Sequence, residues 1–381
     1  MITLFIILVF LLFYTFGGYF LLLKVVSFFK SNPVIKGEYI PTASLLIPVY
    51  NGEKVIKDKL ENCLSLSYPQ DKLKIMVISD CSTDKTVEIV QTYKDKGIIL
   101  LCQGKREGKT KALNLALKEV QSEVVFFTDT STFLSKDSLI KIAKNFADTK
   151  VGCVSGEDYS ISAFQEKGES GEGVYVGMEM KLRRLESAIC NLTGVSGCLY
   201  AIRRELINEI PNDLIDDFYL PLQVVKQGKR VISELEGIAY VTRVANFKEE
   251  FKRRRRTALG GLEVFFAELS LLNPFKYGFF SLELLSHKLF RWLTPFLLLL
   301  LILCNLFLLQ YFIFKLTLLI EIFSIFIALV YLFFLANKKL TGLFSLMESI
   351  FYFYLVNLAL LFAWAKFILG KREIIWEPSK R

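Results

Sequence analysis

The sequence predicts an α/β domain set between apolar helices long enough for a bilayer, and three observations carry that expectation. From Ala43 to Ser155, short apolar runs alternate with helical stretches, the pattern of a parallel sheet with crossover helices. The chain of 381 residues is 53% hydrophobic with 34 Phe, above the roughly 45–50% apolar content of soluble domains, and the excess gathers at its two ends. Strands also run repeatedly into acidic residues. The run Val124-Val125-Phe126-Phe127-Thr128 has the apolar, β-branched character of a strand buried on both faces, and it delivers Asp129 to its carboxyl end. Ligands of open α/β sheets sit outside those ends. A single such acid is more simply a helix cap; its repetition at neighbouring strand ends favours a site.

Composition removes several function classes. The net charge of +9 raises the possibility of nucleic acid, but basic residues flanking apolar spans explain it better, so no nucleic-acid partner is expected. Seven cysteines without a CxxC pair read as free thiols. The single histidine, His287, next to Lys288 at the start of an apolar run, is expected at the bilayer surface. A lone histidine so placed nearly excludes a Ser-His-Asp triad, a Cys-His dyad and a multi-histidine metal site, which leaves acid–base chemistry to carboxylates.

Taken in order, Ile2 to Leu23 is apolar enough to cross a hydrocarbon core of about 30 Å, and the basic residues Lys24, Lys30 and Lys36 follow it. Residues 1–24 are therefore expected to be an uncleaved signal anchor, with 25–42 a linker on the cytoplasmic side. Expected strands are Ser44–Ile47, Lys74–Ser79, Ile98–Cys102, Val124–Thr128 and Val151–Ser155, with helices over Glu53–Leu66, Thr83–Tyr93, Lys109–Val120 and Asp137–Phe146. The loop Gly104-Lys105-Arg106-Glu107-Gly108-Lys109 opens a helix, where amides and the helix dipole favour an anion. It lacks Walker A spacing; beside two strand-end aspartates, a nucleotide diphosphate is the favoured ligand. Gly156 to Gly173, with Glu157, Asp158, Glu166, Glu169 and Glu172, reads as a mobile acidic loop. Val174–Ile189 follows as an amphipathic helix with Met178, Leu182 and Leu185 on a core stripe. Adjacent carboxylates at Asp216-Asp217 raise one pKa of the pair, which suits a general base.

These residues together resemble an inverting family 2 glycosyltransferase. The resemblance rests on Ile47-Pro48-Val49-Tyr50-Asn51-Gly52-Glu53, Asp80-Cys81-Ser82-Thr83-Asp84, Arg106-x-Gly108-Lys109-x-x-Ala112-Leu113-Asn114, Asp129 and the later Asp216-Asp217, covering roughly Ala43 to Gly261. It implies the GT-A fold, a Rossmann-like mixed sheet with helices on both faces, a nucleotide-sugar donor and a divalent metal. By that resemblance Tyr50, Glu53 and Asp80 contact the base and ribose of a uridine-type nucleotide, with Pro48 and Asn51 in the same donor segment. Arg106 and Lys109 lie near the diphosphate, Asp129 is the first acid of the DxD pair and the metal ligand, and Gly197 lies beneath the acceptor. Asp217 is the base, preceded by Asp216. Two motifs depart from the family pattern. Ser131 stands where DxD has its second acid, so Mg²⁺ or Mn²⁺ is expected to bind weakly without nucleotide. In register with QxxRW, Arg253 stands at Gln, Arg256 at Arg and Thr257 at Trp. Arg253 and Arg256 are then donor-side residues, and the missing Trp argues against processive polymer synthesis.

After the predicted domain at 43–261, residues 262–287 are expected to form interfacial helices, 288–370 to hold transmembrane helices and 371–381 to form a basic tail. Phe290–Phe314, Leu316–Leu335 and Leu343–Leu369 are each long enough to span. Three crossings put the carboxyl terminus outside, whereas Lys366, Lys371, Arg372, Lys380 and Arg381 favour the inside. Failure of one of the three to span, or a re-entrant final helix, would reconcile the two. The expected activity is transfer of a hexose or N-acetylhexosamine from a UDP-sugar to a lipid-linked or growing saccharide acceptor, in cell-envelope polysaccharide synthesis. The rivals are a processive synthase with a translocation channel, a transport component that merely binds nucleotide, and an inactive scaffold.

Overall fold

β1 (Ala43–Val49) is buried along its whole length because its residues alternate between two cores rather than between a core and water. Leu45 and Ile47 face one core, and Leu46 faces the other. The computed structural model describes residues 1–161, 171–242, 247–335 and 344–373. Around β1 lie β2 (Leu73–Ser79), β3 (Ile98–Cys102), β4 (Val124–Thr128), β5 (Thr132–Leu134), β6 (Val151–Ile161), β7 (Leu199–Arg203) and β8 (Arg230–Thr242). They form one sheet in the order β3-β2-β1-β4-β7-β6-β8-β5. β3, β2, β1 and β4 are mutually parallel, and β7 runs antiparallel between β4 and β6. The sheet is thus mixed, with its direction reversing beside β4.

The helices are α1 (Ile2–Phe13), α2 (Tyr19–Phe29), α3 (Ile56–Leu64), α4 (Thr86–Gln91), α5 (Lys109–Glu119), α6 (Ser138–Ala143), α7 (Gly171–Ile189), α8 (Asp216–Lys226), α9 (Phe247–Ala267), α10 (Pro274–Tyr277), α11 (Phe279–Leu284), α12 (Phe290–Phe307), α13 (Phe312–Leu335) and α14 (Phe344–Ile368). α3 and α6 cover one face of the sheet; α5, α8 and the end of α9 cover the other. Each fully buried Leu, Ile or Phe here contributes roughly 2 kcal/mol. α5 also grips the far half of the domain. Asn114 donates to the Ile210 carbonyl at 2.7 Å and accepts from its amide at 3.0 Å, while Thr110 donates to the Leu214 carbonyl at 2.9 Å. Both clamps hold the segment that leads into α8.

Four described stretches are helical, long and apolar enough to cross a membrane: Ile2–Phe29, Phe279–Phe307, Phe312–Phe334 and Leu346–Ile368. The first joins α1 to α2 through a π turn, and the second joins α11 to α12 in the same way. α14 packs along α9, from the Phe247–Phe351 ring contact at one end to Phe266–Phe367 at the other.

Four expectations need correction. Gly156–Gly173 is not one loop: β6 runs on through Ile161 and α7 begins at Gly171. An acid survives in that strand because Arg184 clamps Glu157 with hydrogen bonds of 2.9 and 2.6 Å, so its charge is paired where it is buried. Glu166 and Glu169, like Lys380 and Arg381 of the basic tail, lie outside the described residues. Met178 is 57% exposed and turned away from the core that buries Leu182, because α7 presents that face to a cleft. His287 is buried rather than at a bilayer surface: Glu186, Glu179 and Thr193 surround its ring nitrogens at 2.7, 2.8 and 3.1 Å. Residues 262–287 do not form a surface hairpin, since Val264, Phe265, Leu271, Phe280 and Leu284 enter the main core.

Asn114→Ala should strand the Ile210 amide and carbonyl, at a cost of about 1–3 kcal/mol. The expected reading is a lower thermal midpoint for the full chain in detergent; an unchanged midpoint would show that the clamp adds nothing.

Candidate active site

The reversal of strand direction beside β4 opens a cleft of about 1640 Å³ outside the carboxyl ends of β1 and β4. Tyr50, Asn51, Glu53, Arg106, Lys109, Asp129, Ser131, Gly197, Asp216, Asp217, Arg253 and Arg256 all line it. Pro48 and Asp80 stand behind it. Pro48 offers its carbonyl to Thr130 Oγ1 at 2.7 Å, which ties the β1 end to the Asp129 turn.

On the donor side, the β1 end turns at Asn51, whose φ of 48° is reached more easily by Asn than by most side chains. The Asn51 side chain accepts from the Thr83 amide at 2.8 Å, and Asp84 accepts from the Glu53 amide at 3.0 Å. The Pro48–Glu53 and Asp80–Asp84 segments therefore lock together. Asp80 is only 3% exposed, and its carboxylate accepts from Gln103 Nε2 at 2.8 Å and from the Glu107 and Gly108 amides at 2.9 and 3.0 Å. It organises the Gly104–Lys109 loop, whose Gly108 takes φ 94° at the start of α5. The loop turns the Arg106 guanidinium onto the Tyr50 ring, 3.7 Å from its centroid.

Lys109 leads α5 into the centre of the cleft. Its ammonium lies 3.3 Å from Asp129 Oδ1 and 3.2 Å from Asp216 Oδ1. Burial pulls its pKa down, but Asp129, Asp216 and Asp217 outweigh that and hold it above the usual lysine value. Asp216 is fully engaged, since Tyr200 Oη donates to its other oxygen at 2.6 Å and Tyr200 stacks on Phe127 of β4. Asp217 lines the cleft, and among the described residues its carboxylate has no such hydrogen-bond partner. Burial and the adjacent Asp216 push its pKa up to about 7, against the opposing charge of Lys109. Gly197 fits closely beside it: a Cβ there would lie 2.6 Å from Asp217 Oδ2. The glycine that the sequence places beneath the acceptor is therefore the one that leaves room for the Asp217 carboxylate.

Around this centre, Arg253 makes hydrogen bonds of 2.7 and 2.8 Å to Glu250, and burial lowers the pKa of Arg256. Asp158, Arg183, Lys288 and Trp292 also line the cleft, and sequence reasoning gave them no role. Ser196 Oγ donates to Asp158 at 2.5 Å, and burial raises the pKa of that carboxyl. Only Asp158 carried a signal, as an acid beyond a strand; the others come from helices and sit among residues of no distinctive spacing. Trp292 brings an indole from α12 into the cleft that also holds Thr257. Among the described residues, no group of three His, Cys, Asp or Glu side chains is arranged to hold a metal.

Comparisons with known proteins agree with this geometry. The poly(ribitol-phosphate) β-N-acetylglucosaminyltransferase TarS of Staphylococcus aureus (strain Mu50 / ATCC 700699) is 33% identical over 134 residues, 34% of this chain and 22% of TarS. The poly-β-1,6-N-acetyl-D-glucosamine synthase of S. aureus (strain COL) is 24% identical over 241 residues, 62% of this chain and 58% of the synthase. This chain thus spans less than two thirds of either relative. The mannosyltransferase PcManGT from Pyrobaculum calidifontis, solved with GDP-Man and Mn²⁺, superposes with a TM-score of 0.73 at 22% identity, over 97% of this chain and 99% of that one. The GT-A fold is therefore shared over nearly the whole length. The family model for glycosyl transferase family 2 matches residues 44–210, from β1 to the Asn114 clamp at Ile210.

Proposed function

We propose that this protein is a membrane-bound inverting glycosyltransferase that moves a sugar from a nucleotide-sugar donor, a UDP-sugar, to a lipid-linked or saccharide acceptor. One observation carries the reading: a single lysine draws a strand-end aspartate and one member of an aspartate pair together, and leaves the other member free with a pKa near neutrality. A base for a sugar hydroxyl needs that protonation range.

In this reading the β1 turn and the Asp80-ordered loop receive the nucleotide. Tyr50, Asn51 and Glu53 lie on the base side, and Arg106 covers Tyr50 much as a guanidinium covers a stacked base. Asp80 serves the nucleotide through the loop it orders. Lys109, Arg253 and Arg256 surround the space for the diphosphate, where fixed cations stabilise charge as the leaving group departs. Asp217 takes the acceptor proton while the hydroxyl attacks the anomeric carbon from the face opposite the nucleotide. Asp216 stays bound to Lys109 and Tyr200 and keeps the pair from sharing one task.

A divalent ion fits this donor set only in company. Asp129, Ser131 and Asp158 offer hard oxygen donors to one cleft, but Asp129 is already neutralised by Lys109. Asp129 and Ser131 are the residues that would hold Mg²⁺ or Mn²⁺ together with the donor's own oxygens. When bound, the ion supplies Lewis-acid neutralisation of the diphosphate. The α/β domain faces the cytoplasm of a plasma membrane, on the side of Lys24, Lys30 and Lys36.

A screen of nucleotide sugars with the purified full chain tests the activity directly; no donor turned over and none bound would remove it. Asp217→Asn should lower transfer by about 10² or more while donor affinity holds. Because the raised pKa leaves Asp217 protonated in acid, kcat/KM for the acceptor should rise with pH through about 7 and level off above it. Near-normal turnover in Asp217→Asn, or a flat profile in the native enzyme, would assign the base elsewhere.

The shared metal site predicts that nucleotide tightens metal and metal tightens nucleotide by the same factor. Ser131→Asp should strengthen Mn²⁺ binding without nucleotide and shrink that factor. Calorimetric titration of UDP in chelator and in excess Mn²⁺ decides it; equal affinities would leave the leaving group to Lys109 and the arginines.

A further inference from the structure

The wall of the cleft that faces the apolar helices contains two cations with no carboxylate partner. Arg183 of α7 is 6% exposed. Among the described residues its guanidinium hydrogen-bonds only neutral groups, Ser155 Oγ at 2.6 Å and the Gly194 carbonyl at 3.4 Å, and its buried Nε has no hydrogen-bond partner. The Lys288 ammonium lies above the Phe218 ring, 5.3 Å from the centroid and 3.5 Å from the Cβ position of Gly194. Neither side chain makes an ion pair among the described residues. The contrast with their neighbours is informative. Arg184 is paired with Glu157, Arg291 with Glu179, and His287 with both Glu179 and Glu186. Arg291 and His287 line the same cleft and have Glu179 beside them; Arg183 and Lys288 line it without an ion pair among the described residues.

Asp158 acts on Arg183, and Glu179, Glu186 and Asp217 act on Lys288, only from beyond ion-pair distance, and a desolvated cation without a direct pair is unfavourable unless a ligand completes it. The loop Gly194–Cys198 separates this pair from Asp217 by its own thickness: Val195 donates its amide to the Asp217 carbonyl at 3.1 Å, and Gly197 packs on the carboxylate. On the other side the cleft is walled by Phe16, Trp292, Phe353, Val356 and Leu360, all from candidate membrane-crossing helices. An anion seated at Arg183 and Lys288 would thus have a base on one side and a hydrocarbon-like surface on the other.

We infer that Arg183 and Lys288 form a phosphate-binding subsite for an amphiphilic acceptor, with its phosphate at the Gly194 loop and its hydrocarbon between Phe16, Trp292 and Phe353. The subsite rests on the glycosyltransferase reading for its role, but not for its existence. A phosphate there orients the acceptor by charge, and its attached hydroxyl-bearing group reaches Asp217. Specificity for a phosphate-bearing lipid over a neutral glycolipid follows, because a neutral head leaves both cations buried and unpaired.

The test uses the full chain in maltoside micelles, titrated calorimetrically with dodecyl phosphate, dodecanol and inorganic phosphate, and separately with UDP. Dodecyl phosphate should bind at least about tenfold more tightly than either other probe, and Lys288→Gln should remove that margin by a similar factor, as loss of a desolvated charge contact does. Arg183→Gln should act in the same direction, with Arg183→Lys recovering part of the affinity. UDP affinity should hold in every variant, which also reports that the fold is intact. Equal binding of dodecanol and dodecyl phosphate, or no effect of Lys288→Gln, overturns the subsite. Inorganic phosphate binding as tightly as dodecyl phosphate overturns the lipid assignment. Failure of UDP to bind the native chain strikes the donor reading instead, and the comparison of dodecyl phosphate with dodecanol still decides the anion subsite.

Discussion

One ammonium joins the two halves of this molecule. Lys109 sits on the first turn of α5, Asp129 at the end of β4, and Asp216 at the start of α8, so three separate elements converge on one charge. Without that charge, Asp129, Asp216 and Asp217 would repel one another in a space of low polarity. With it, the strand ends that receive a donor are held at a fixed distance from the helix that carries the base. The hydrogen bonds of Asn114 and Thr110 act beneath it, since the same helix that supplies Lys109 grips Ile210 and Leu214 just before α8. Positioning and electrostatics therefore share a single helix, and neither can shift without the other.

The aspartate pair divides its labour for the same reason. Asp216 spends one oxygen on Lys109 and the other on Tyr200, so its carboxylate is held in place beside Asp217. That fixed negative charge raises the affinity of Asp217 for a proton, while Lys109 limits the rise. A pKa near neutrality thus emerges from three groups whose separations are set by backbone elements, and it needs no histidine.

Much of this was legible in the chain itself. β3 and β4 fall where their apolar runs predict: β4 is buried along its whole length, where continuous hydrophobicity has no competing explanation, and β3, a partly exposed edge strand, is bounded by the Gly97 turn and the Gly104–Lys109 loop. Asp129, Lys109 and the Asp216-Asp217 pair sit at element ends, where turn chemistry marks them. Legibility failed where a distant partner changed the meaning of a residue. Glu157 looks like a loop acid until Arg184, 27 residues on, neutralises it inside a strand. His287 looks interfacial until Glu179 and Glu186 surround it. Arg183, Lys288 and Trp292 reach the cleft from helices whose local pattern shows only amphipathicity or hydrophobicity. Tertiary contacts alone give them a role.

The same dependence on partners bears on the last helix. By length and apolarity α14 qualifies as a membrane crossing, yet the basic residues after it favour the side that holds the α/β domain. Its contacts offer a way out of that conflict. Near its start, Tyr352 donates to Glu250 of α9 at 2.9 Å; near its end, Trp364 donates to the Trp292 carbonyl at 2.9 Å. Just beyond it, Glu373 pairs with Arg255 at 2.8 Å and Arg372 pairs with Asp213, both residues of the α/β domain. These contacts tie α14 to that domain at both ends, while Ser324 and Tyr331 of α13 meet Tyr354 and Phe351 along its length. On the proposed orientation, α14 then lies against α9 as a cover for the cleft, and the chain crosses with α1–α2, with α11–α12 and with α13. Three crossings from an external amino terminus return the chain to the side of Lys24, Lys30 and Lys36, where Lys371 and Arg372 belong. The apolarity of α14 is accounted for in part by Phe251, Phe266 and Trp292 on one side and by Tyr331 of α13 against Phe351. That placement also explains why Tyr352, Phe353 and Val356 line a catalytic cleft at all.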